Sequence, residues 1–327
     1  MYHLRMKGTH YEAGYKWGKR LKEHGIHLMD GVPFELTQLR KDFASQCQDF
    51  YIQHYPEIVE EIKGIAEGQG INYQDLTTVL YSMYCIMPDQ KCSCFIMKSE
   101  DSYLLCRNSD FLTAIEKLYM NVIYKLDDVY SFNGNTTAFV EIEDGMNEYG
   151  LAVGFTSIYP KNIKPGINAG MIVRYLLEKC KNVSEAIEVI KKLPIASAQI
   201  LTLLDSLGHS VVVECDCDDI VIIEQVNKLV AVNAFYSDEL KHKRNLDIDD
   251  WYATQRYETI FNSLKKDKYS FDYAKDILSG KYGMTCQYDR KTGKDTVWSV
   301  IYDTKNKKIY RCEGNPSRKQ FQLDERK

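Results

Sequence analysis

The order of secondary-structure patterns from residue 92 onward constrains the fold of this chain more than any other feature. Short runs in which apolar and polar side chains alternate predict strands, whereas segments with a 3.6-residue apolar period predict helices. The predicted strands lie at about 92–99, 103–107, 119–126, 136–143, 150–156, 198–204, 209–215, 219–225, 228–233, 295–303 and 307–313. The predicted helices lie at about 168–180, 183–192, 251–265 and 271–279. This order predicts a layered α/β domain with largely antiparallel sheets.

The first 90 or so residues have a different, mainly helical pattern. Thr9-His-Tyr-Glu12 forms a capping box, in which the hydroxyl and the carboxylate satisfy free amides at a helix start. Gly14 and Gly18 share one face of this helix and predict the close approach of a neighbouring element. Pro56 is a favoured first-turn residue, and Asn72 is a suitable cap for a further helix. An exposed linker is predicted at 87–91, before the first strand of the α/β region.

The segment from Cys92 to Phe111 predicts a β-hairpin with a polar turn at 100–102. The two ends of a hairpin lie side by side. We therefore expect Cys92 to lie close to Arg107 and Asp110, although these residues are distant in sequence. A thiol beside a guanidinium and a carboxylate is an arrangement that can carry out chemistry.

Length and charge exclude several classes of protein. A chain of 327 residues can form one large α/β domain or two modest ones, and its net charge of −4 with no basic stripe argues against nucleic-acid binding. No apolar run approaches the ~20 residues that a membrane-spanning helix needs. The first residues lack the apolar core of a signal peptide, which predicts a cytoplasmic protein.

The ten cysteines predict reduced thiols more than a disulfide framework, because a chain of this size can build a large core. Cys92-x-Cys94 and Cys215-Asp-Cys217 are spaced more closely than the cysteine pairs of most structural zinc sites. The seven histidines form no metal-binding pair either. We therefore predict neither a metal nor a cofactor.

A thiol attacks an amide carbonyl only if a base removes its proton, and the sequence shows no evident Cys-His arrangement. Cleavage of the chain before Cys92 would supply such a base. The freed α-amino group has a pKa near ~8 and would be attached to the same residue as the sulfur. This solution is that of an N-terminal nucleophile enzyme.

Several motifs along the chain carry a family resemblance. Cys92-Ser93, followed by Arg107-Asn108-Ser109-Asp110-Phe111, is similar to the motif of the penicillin acyltransferases, the acyl-CoA:6-aminopenicillanic acid acyltransferase family of peptidase C45 type. Its wider relatives include the choloylglycine hydrolases and penicillin V acylases. Further similar segments, in chain order, are 8–14, 147–152, 174–187, 232–235, 296–299 and 314–316.

The resemblance implies an N-terminal nucleophile hydrolase fold, a four-layer αββα sandwich of two mainly antiparallel sheets. It also implies autocatalytic cleavage between Lys91 and Cys92. The products would be a helical segment, 1–91, and a catalytic region, 92–327, which together remain one globular unit. The helical segment should stay docked, since its apolar faces would otherwise be exposed.

The resemblance also implies roles for individual residues. Cys92 would be the nucleophile, with its freed amine as base, and Asp110 would hold that amine. Arg107 would orient Asp110 and favour the thiolate. Asn233 would donate its side-chain amide to the oxyanion, an interaction worth about 2.7–4 kcal/mol where one such donor has been removed.

Structural roles remain open beside these catalytic ones. Cys94 lies on the same face as Cys92 by the two-residue period, so the pattern alone leaves it as a second candidate nucleophile. Arg107 and Asp110 could form a surface ion pair at the hairpin end, and Asn233 could cap a turn.

Asn147 and Phe111 are candidate substrate-binding residues, although a turn role for Asn147 is the favoured alternative. For Arg174 the favoured role is an ion pair with Glu178 one helical turn further on.

The predicted function is hydrolysis of the linear amide of a small N-acyl substrate. One alternative is an acyltransferase that moves an acyl group from a CoA thioester or an amide to an amine. A second is an uncleaved, inactive relative that binds an acylated ligand, an option favoured by the bulky, charged Lys91. Oligomeric state is open, and a homo-oligomer is compatible with the sequence.

Overall fold

The computed structural model describes residues 1–86, 91–224, 229–245, 247–266 and 269–326. Its strands are β1 (Tyr2–Gly8), β2 (Lys91–Lys98), β3 (Tyr103–Leu112), β4 (Met120–Leu126), β5 (Phe132–Thr136), β6 (Asp144–Asn147), β7 (Ala152–Ser157), β8 (Gln199–Leu204), β9 (Ser210–Cys215), β10 (Ile220–Ile223), β11 (Val230–Ala231), β12 (Lys294–Asp303), β13 (Lys308–Cys312) and β14 (Gln322–Leu323). A sheet of eight strands has the order β1-β4-β5-β6-β7-β8-β9-β10, and a sheet of six has the order β11-β2-β3-β12-β13-β14. The pair β1–β4 is parallel, and the other pairs are antiparallel.

Helices cover the outer faces of both sheets. They are α1 (His10–Glu23), α2 (Gln38–His54), α3 (Pro56–Gln69), α4 (Tyr73–Ser82), α5 (Ala169–Lys179), α6 (Val183–Ile190), α7 (Ala253–Ser263) and α8 (Phe271–Leu278). One apolar layer lies between α1–α6 and the larger sheet, a second lies between the two sheets, and a third lies between the smaller sheet and α7–α8. The predicted four-layer αββα sandwich is confirmed.

The predicted hairpin is formed by β2 and β3, two inner strands of the smaller sheet. Cys92 pairs with Ser109 and Cys94 pairs with Arg107, so these four side chains share one face. The strand β3 continues to Leu112, beyond the predicted end at 107, because β12 pairs with it along its whole length. The polar residues 107–110 therefore lie inside a buried strand instead of at an exposed hairpin end.

Two predictions about strands are wrong. No strand spans 136–143; β5 ends at 136 and β6 begins at 144. Ala138, Val140 and Ile142 alternate as in a strand, but they lie in a loop and pack into the core between the helices and the larger sheet. The N-terminal segment also contains β1, whose polar composition hid its parallel pairing with β4. The predicted linker residues 87–90 and parts of the predicted strands 219–225 and 228–233 lie outside the described residues.

Glycines allow α1 and α3 to cross with their backbones in contact. A Cβ atom at Gly14 would lie 2.3 Å from the carbonyl oxygen of Glu61, and one at Gly64 would lie 2.2 Å from that of Tyr11. No larger residue fits such a crossing. The close approach predicted from the glycines of α1 is therefore confirmed.

A buried charge cluster ties the N-terminal helices to α5. Arg174 of α5 forms ion pairs with Glu61 of α3 at 2.6 Å and with Glu178 at 2.8 Å. Glu178 also accepts hydrogen bonds from Tyr55 at 2.5 Å and contacts His10 at 3.2 Å. The predicted pair of Arg174 with Glu178 is confirmed, and the cluster extends to residues on the far side of the proposed cleavage point.

The ten cysteines are free thiols. Within the described ranges, no group of three or more His, Cys, Asp or Glu side chains is placed to hold a metal ion. No helix in that part of the chain is both long enough and apolar enough to cross a bilayer.

Candidate active site

Cys92 is the second residue of β2, fully buried, with its side chain on the face of the smaller sheet that meets the larger one. Its sulfur accepts a hydrogen bond from Arg107 Nη2 at 2.8 Å. Its backbone N–H donates to Asn233 Oδ1 at 2.9 Å. Both atoms that a cysteine N-terminal nucleophile uses, the sulfur and the nitrogen, are therefore held by polar side chains.

The guanidinium of Arg107 lies between the two sheets. Its Nε and Nη2 donate to the carbonyl oxygen of Phe155 at 3.2 and 3.1 Å, and its Nη1 donates to Asp144 Oδ2 at 2.6 Å. Nη2 also lies 3.4 Å from Glu143 Oε2. Gly154 makes room for this side chain, since a Cβ there would lie 3.2 Å from Arg107 Cδ. The carboxylates of Asp144, the first residue of β6, and of Glu143, directly before it, thus balance one buried guanidinium beside the sulfur.

Burial raises the pKa of the Cys92 thiol well above its ordinary value, and the nearby charge of Arg107 opposes this effect. Burial alone would lower the pKa of Arg107, but Cys92, Asp144 and Glu143 raise it above its ordinary value overall. The guanidinium therefore stays charged, while the thiol stays protonated until a base accepts its proton.

Asp110 lies on the opposite face of β3 from Arg107, because three positions separate them on an alternating strand. It accepts hydrogen bonds from Thr296 Oγ1 at 2.6 Å and Tyr288 OH at 2.8 Å. The guanidinium within ion-pair distance belongs to Arg256, 3.8 Å away. The expectation that Arg107 orients Asp110 is therefore wrong: Arg256, Thr296 and Tyr288 hold this carboxylate.

The carboxyl group of Asp110 should make stability depend on pH. Burial raises its pKa to about 6, against the opposing effects of Arg256, Thr296 and Tyr288. A folded-state pKa above the unfolded value of ~3.9 means that Asp110 contributes stability below pH ~4 and that this contribution is lost as pH rises through 6. Relative to Asp110→Asn, the free energy of unfolding should fall by about 3 kcal/mol over this range.

Urea unfolding of Cys92→Ala and Cys92→Ala/Asp110→Asn, followed from pH 3.5 to 7.5, would measure this difference. The shared Cys92→Ala substitution keeps every molecule uncleaved. The difference between the two chains removes the titration of the groups that they have in common. A difference that does not change with pH would show that Asp110 keeps an ordinary pKa in the folded chain.

Arg256 is the functional residue that the sequence reasoning missed. This fully buried side chain on α7 donates from Nη1 to the carbonyl oxygen of Cys92 at 2.6 Å and to Ser93 Oγ at 2.9 Å, and from Nη2 to Asn233 Oδ1 at 3.0 Å. A signal was present, because Arg256 occupies the apolar stripe of its helix with Ala253 and Ile260. A charged residue at a core-facing helical position needs buried partners.

Asn233 lies beside Cys92, as expected, but in this uncleaved chain its Nδ2 donates to the carbonyl oxygen of Ser157 at 2.7 Å. Its Oδ1 accepts from the Cys92 N–H and from Arg256. Asn233 is therefore a bridge that joins β2, β7 and α7 at the start of the hairpin.

The two candidate substrate-binding residues, Asn147 and Phe111, have neighbours other than those of Cys92. Asn147 donates from Nδ2 to the carbonyl oxygens of Leu177 and Cys180, and its Oδ1 accepts from the N–H groups of Tyr149 and Leu151. These four bonds use the full capacity of the amide, which agrees with the alternative turn role. Phe111 packs in a small apolar cluster with Tyr119, Val297 and Trp298.

The architecture and the site together define a class of protein. Two face-to-face, mainly antiparallel sheets lie between helices, and a buried cysteine stands at the start of an inner strand. This is the N-terminal nucleophile hydrolase fold.

Comparison with known families gives the more particular assignment. Residues 96–318 match the family described as acyl-coenzyme A:6-aminopenicillanic acid acyl-transferase. Because the match spans most of the chain, this protein belongs to that family and is an enzyme of acyl-group chemistry. The matched region includes Arg107, Asp110 and Asn233 and begins after Cys92.

Several solved structures are similar to this chain. A mutant of conjugated bile acid hydrolase from Clostridium perfringens aligns at 16% identity over 71% of this chain and 92% of its own, with a TM-score of 0.50. Penicillin V acylase from Agrobacterium tumefaciens aligns at 19% identity over 67% and 82%, with a TM-score of 0.47. An N-acylethanolamine-hydrolyzing acid amidase orthologue from Caenorhabditis elegans aligns at 13% identity over 66% and 93%, with a TM-score of 0.47. A comparison with curated proteins gives no match.

Proposed function

We propose that this protein is a cysteine N-terminal nucleophile amidohydrolase that cleaves the linear amide bond of an N-acyl substrate through an acyl-thioester intermediate. The observation that carries the proposal is the surroundings of one residue. Cys92 has its sulfur 2.8 Å from Arg107 Nη2 and its nitrogen 2.9 Å from Asn233 Oδ1. The buried carboxylate of Asp110 lies on the opposite face of the paired strand.

Maturation requires a break between Lys91 and Cys92. The new amine then takes the proton of the Cys92 thiol, the sulfur attacks the acyl carbonyl, and the proton passes to the leaving amine. Asp110, held by Arg256, balances the charge of the protonated amine, and Arg107 favours the thiolate. Asn233 donates to the oxyanion once its amide is released from Ser157. Water then hydrolyses the thioester and regenerates the free cysteine.

The N-terminal fragment, 1–91, should remain bound to the catalytic fragment after cleavage. Seven residues of β1 pair with β4, and Glu61 and His10 contact the Arg174–Glu178 pair of α5. The first fragment also supplies the whole of α1–α4, whose apolar faces join the core of the larger sheet. We expect both fragments to co-elute in gel filtration and to separate only in denaturant. Elution of the catalytic fragment alone from a native column would contradict this expectation.

Transfer of the acyl group to an amine is the second candidate, favoured by the description of the family. Water needs no dedicated acceptor site, so hydrolysis is the simpler outcome. The two are separated by adding primary amines to a reaction with a chromogenic acyl substrate. A transferase forms the new amide in proportion to amine concentration, whereas a hydrolase forms only the free acid.

The proposed function is tested by the intact mass of the purified chain under denaturing conditions and by the trapping of the intermediate. We expect a fragment of 91 residues and a second of 236, which is the remainder of 327. An acyl substrate should then add its acyl mass to the larger fragment, and hydroxylamine, which cleaves thioesters, should remove it. A single uncleaved chain without acyl labelling would instead support the inactive relative that binds an acylated ligand.

A further inference from the structure

Self-cleavage presents a chemical problem that the mature reaction does not. Before the chain breaks, the nitrogen of Cys92 belongs to a peptide bond and donates its hydrogen to Asn233, so it cannot act as the base. Arg107 Nη2 donates toward the sulfur, so the thiol hydrogen must find its acceptor elsewhere. A second group is therefore needed to take the thiol proton in the uncleaved chain.

The carboxylate of Glu143 lies where such an acceptor is required. Arg107 Nη2 is 2.8 Å from the Cys92 sulfur and 3.4 Å from Glu143 Oε2, so both atoms surround the same nitrogen. The hydroxyl of Ser109 donates to the same Oε2 at 3.2 Å. Ser109 is the cross-strand partner of Cys92, and side chains paired in this way lie on one face with Cβ atoms about 4.5–5.5 Å apart.

The second oxygen of Glu143 is held on the side away from Ser109. Glu143 Oε1 accepts from the N–H of Thr137 at 3.1 Å, from its Oγ1 at 2.6 Å and from Tyr84 OH at 3.3 Å. These contacts fix the plane of the carboxylate and leave Oε2 as the oxygen next to Ser109 and Arg107.

We propose that Glu143 is the proton acceptor for the Cys92 thiol during self-cleavage, with the Ser109 hydroxyl passing the proton to Oε2. This inference rests on the proposed function. The thiol proton moves to the Glu143 carboxylate as the sulfur bonds to the carbonyl carbon of Lys91. The C–N bond then breaks, and the proton returns from Glu143 to the departing nitrogen. Water hydrolyses the resulting thioester, which leaves the carboxylate of Lys91 and the free thiol and amine of Cys92.

Burial suits Glu143 to this task, because it raises the pKa of the carboxyl group, against the opposing effects of Arg107 and Thr137. A carboxylate with a raised pKa is a stronger base than an ordinary one. The titratable and charged groups that act on Glu143 from the surrounding elements are Arg107, Asp144, Glu141, Tyr84, Tyr119 and Cys92. Self-cleavage should therefore accelerate with rising pH as Glu143 ionises, above the pH range of an ordinary Glu.

Glu141 provides a matched control two residues away. It is also fully buried, and burial also raises its pKa well above the ordinary value. Its contacts differ, because its Oε1 accepts from Asn168 Nδ2 at 3.0 Å at the start of α5. Glu141→Gln changes a buried acid of the same loop whose hydrogen bond goes to Asn168 and not to Cys92, Ser109 or Arg107.

The test follows self-cleavage of the full-length chain after synthesis in a cell-free translation system, by denaturing gel and intact mass, from pH 5 to 9. We expect Glu143→Gln to slow cleavage by about 10²-fold or more, the scale of general-base catalysis, and Glu141→Gln to cleave within about threefold of wild type. Ser109→Ala, which removes only a hydroxyl, should slow cleavage about tenfold or more. If Glu143→Gln does not fold, the cleavage rate of Ser109→Ala tests the proposal in its place.

The pH profile separates a proton acceptor from a structural residue. Without Glu143, cleavage should rise only at alkaline pH, where the thiol ionises unaided. This proposal would be overturned, and the proposed function left standing, if Glu143→Gln slowed cleavage but kept the wild-type pH profile. Cleavage at the wild-type rate in Glu143→Gln or in Ser109→Ala would have the same meaning. A wild-type chain that never cleaves would overturn the proposed function and this proposal with it.

Discussion

Cys92→Ala is expected to remain a single chain of 327 residues and to lose amide hydrolysis by about 10⁴-fold or more. The substitution removes the sulfur to which Arg107 donates, and alanine can form neither the thioester of self-cleavage nor that of turnover. The loss of both reactions together is the distinguishing result. It would be measured by intact mass and by release of a chromogenic leaving group.

Cys94→Ala is the matched control for this experiment. Cys94 is two residues further along β2, on the same face and equally buried, and burial raises the pKa of its thiol to about 12. Gly154 and the apolar layer between the sheets surround it. We expect Cys94→Ala to cleave itself and to turn over substrate. The opposite pattern, with Cys94 needed and Cys92 dispensable, would move the nucleophile to Cys94.

Arg107→Lys is expected to destabilise the folded chain by about 3–5 kcal/mol, the usual cost of breaking a buried ion pair from one side. The planar guanidinium of Arg107 reaches Phe155, Asp144 and Glu143 together, and a lysine ammonium cannot reproduce this. At least one buried carboxylate therefore loses its charged partner. The change in unfolding free energy would be measured in urea, with Cys92→Ala in both chains to prevent cleavage.

Arg290→Lys is the comparison for this prediction. Arg290 forms ion pairs with Glu116 and with the buried Asp295, but its own side chain is 46% exposed and Arg318 also pairs with Asp295. Surface pairs contribute about 0–1 kcal/mol, so this substitution should change stability by less than 1 kcal/mol. Equal losses of unfolding free energy in Arg107→Lys and Arg290→Lys would mean that the guanidinium of Arg107 is not buried in solution.

Much of the smaller sheet could be predicted from local pattern. The hairpin of Cys92 and its partners follows from two alternating runs and a polar turn, and the order of strands and helices predicts layers with mainly antiparallel sheets. The αββα arrangement of those layers was implied by the family resemblance. The extent of β3 could not be predicted this way, since 107–110 is polar on both faces. Asn108, for example, donates to the carbonyl oxygen of Leu278 and accepts from Ser299 Oγ, two residues more than 150 positions away.

By itself the sequence determined which side chains share a face around Cys92, because alternation along a strand is a property of the backbone alone. The same alternation puts Arg107 and Asp110, three positions apart, on opposite faces, although the family resemblance implied that Arg107 orients Asp110. Only the tertiary structure decided their charge partners: Asp144 and Glu143 for Arg107, and Arg256 for Asp110. The reason is physical, because a buried charge is balanced by whichever groups the packed layers bring within a few ångströms, and strand β6 and helix α7 are distant in sequence.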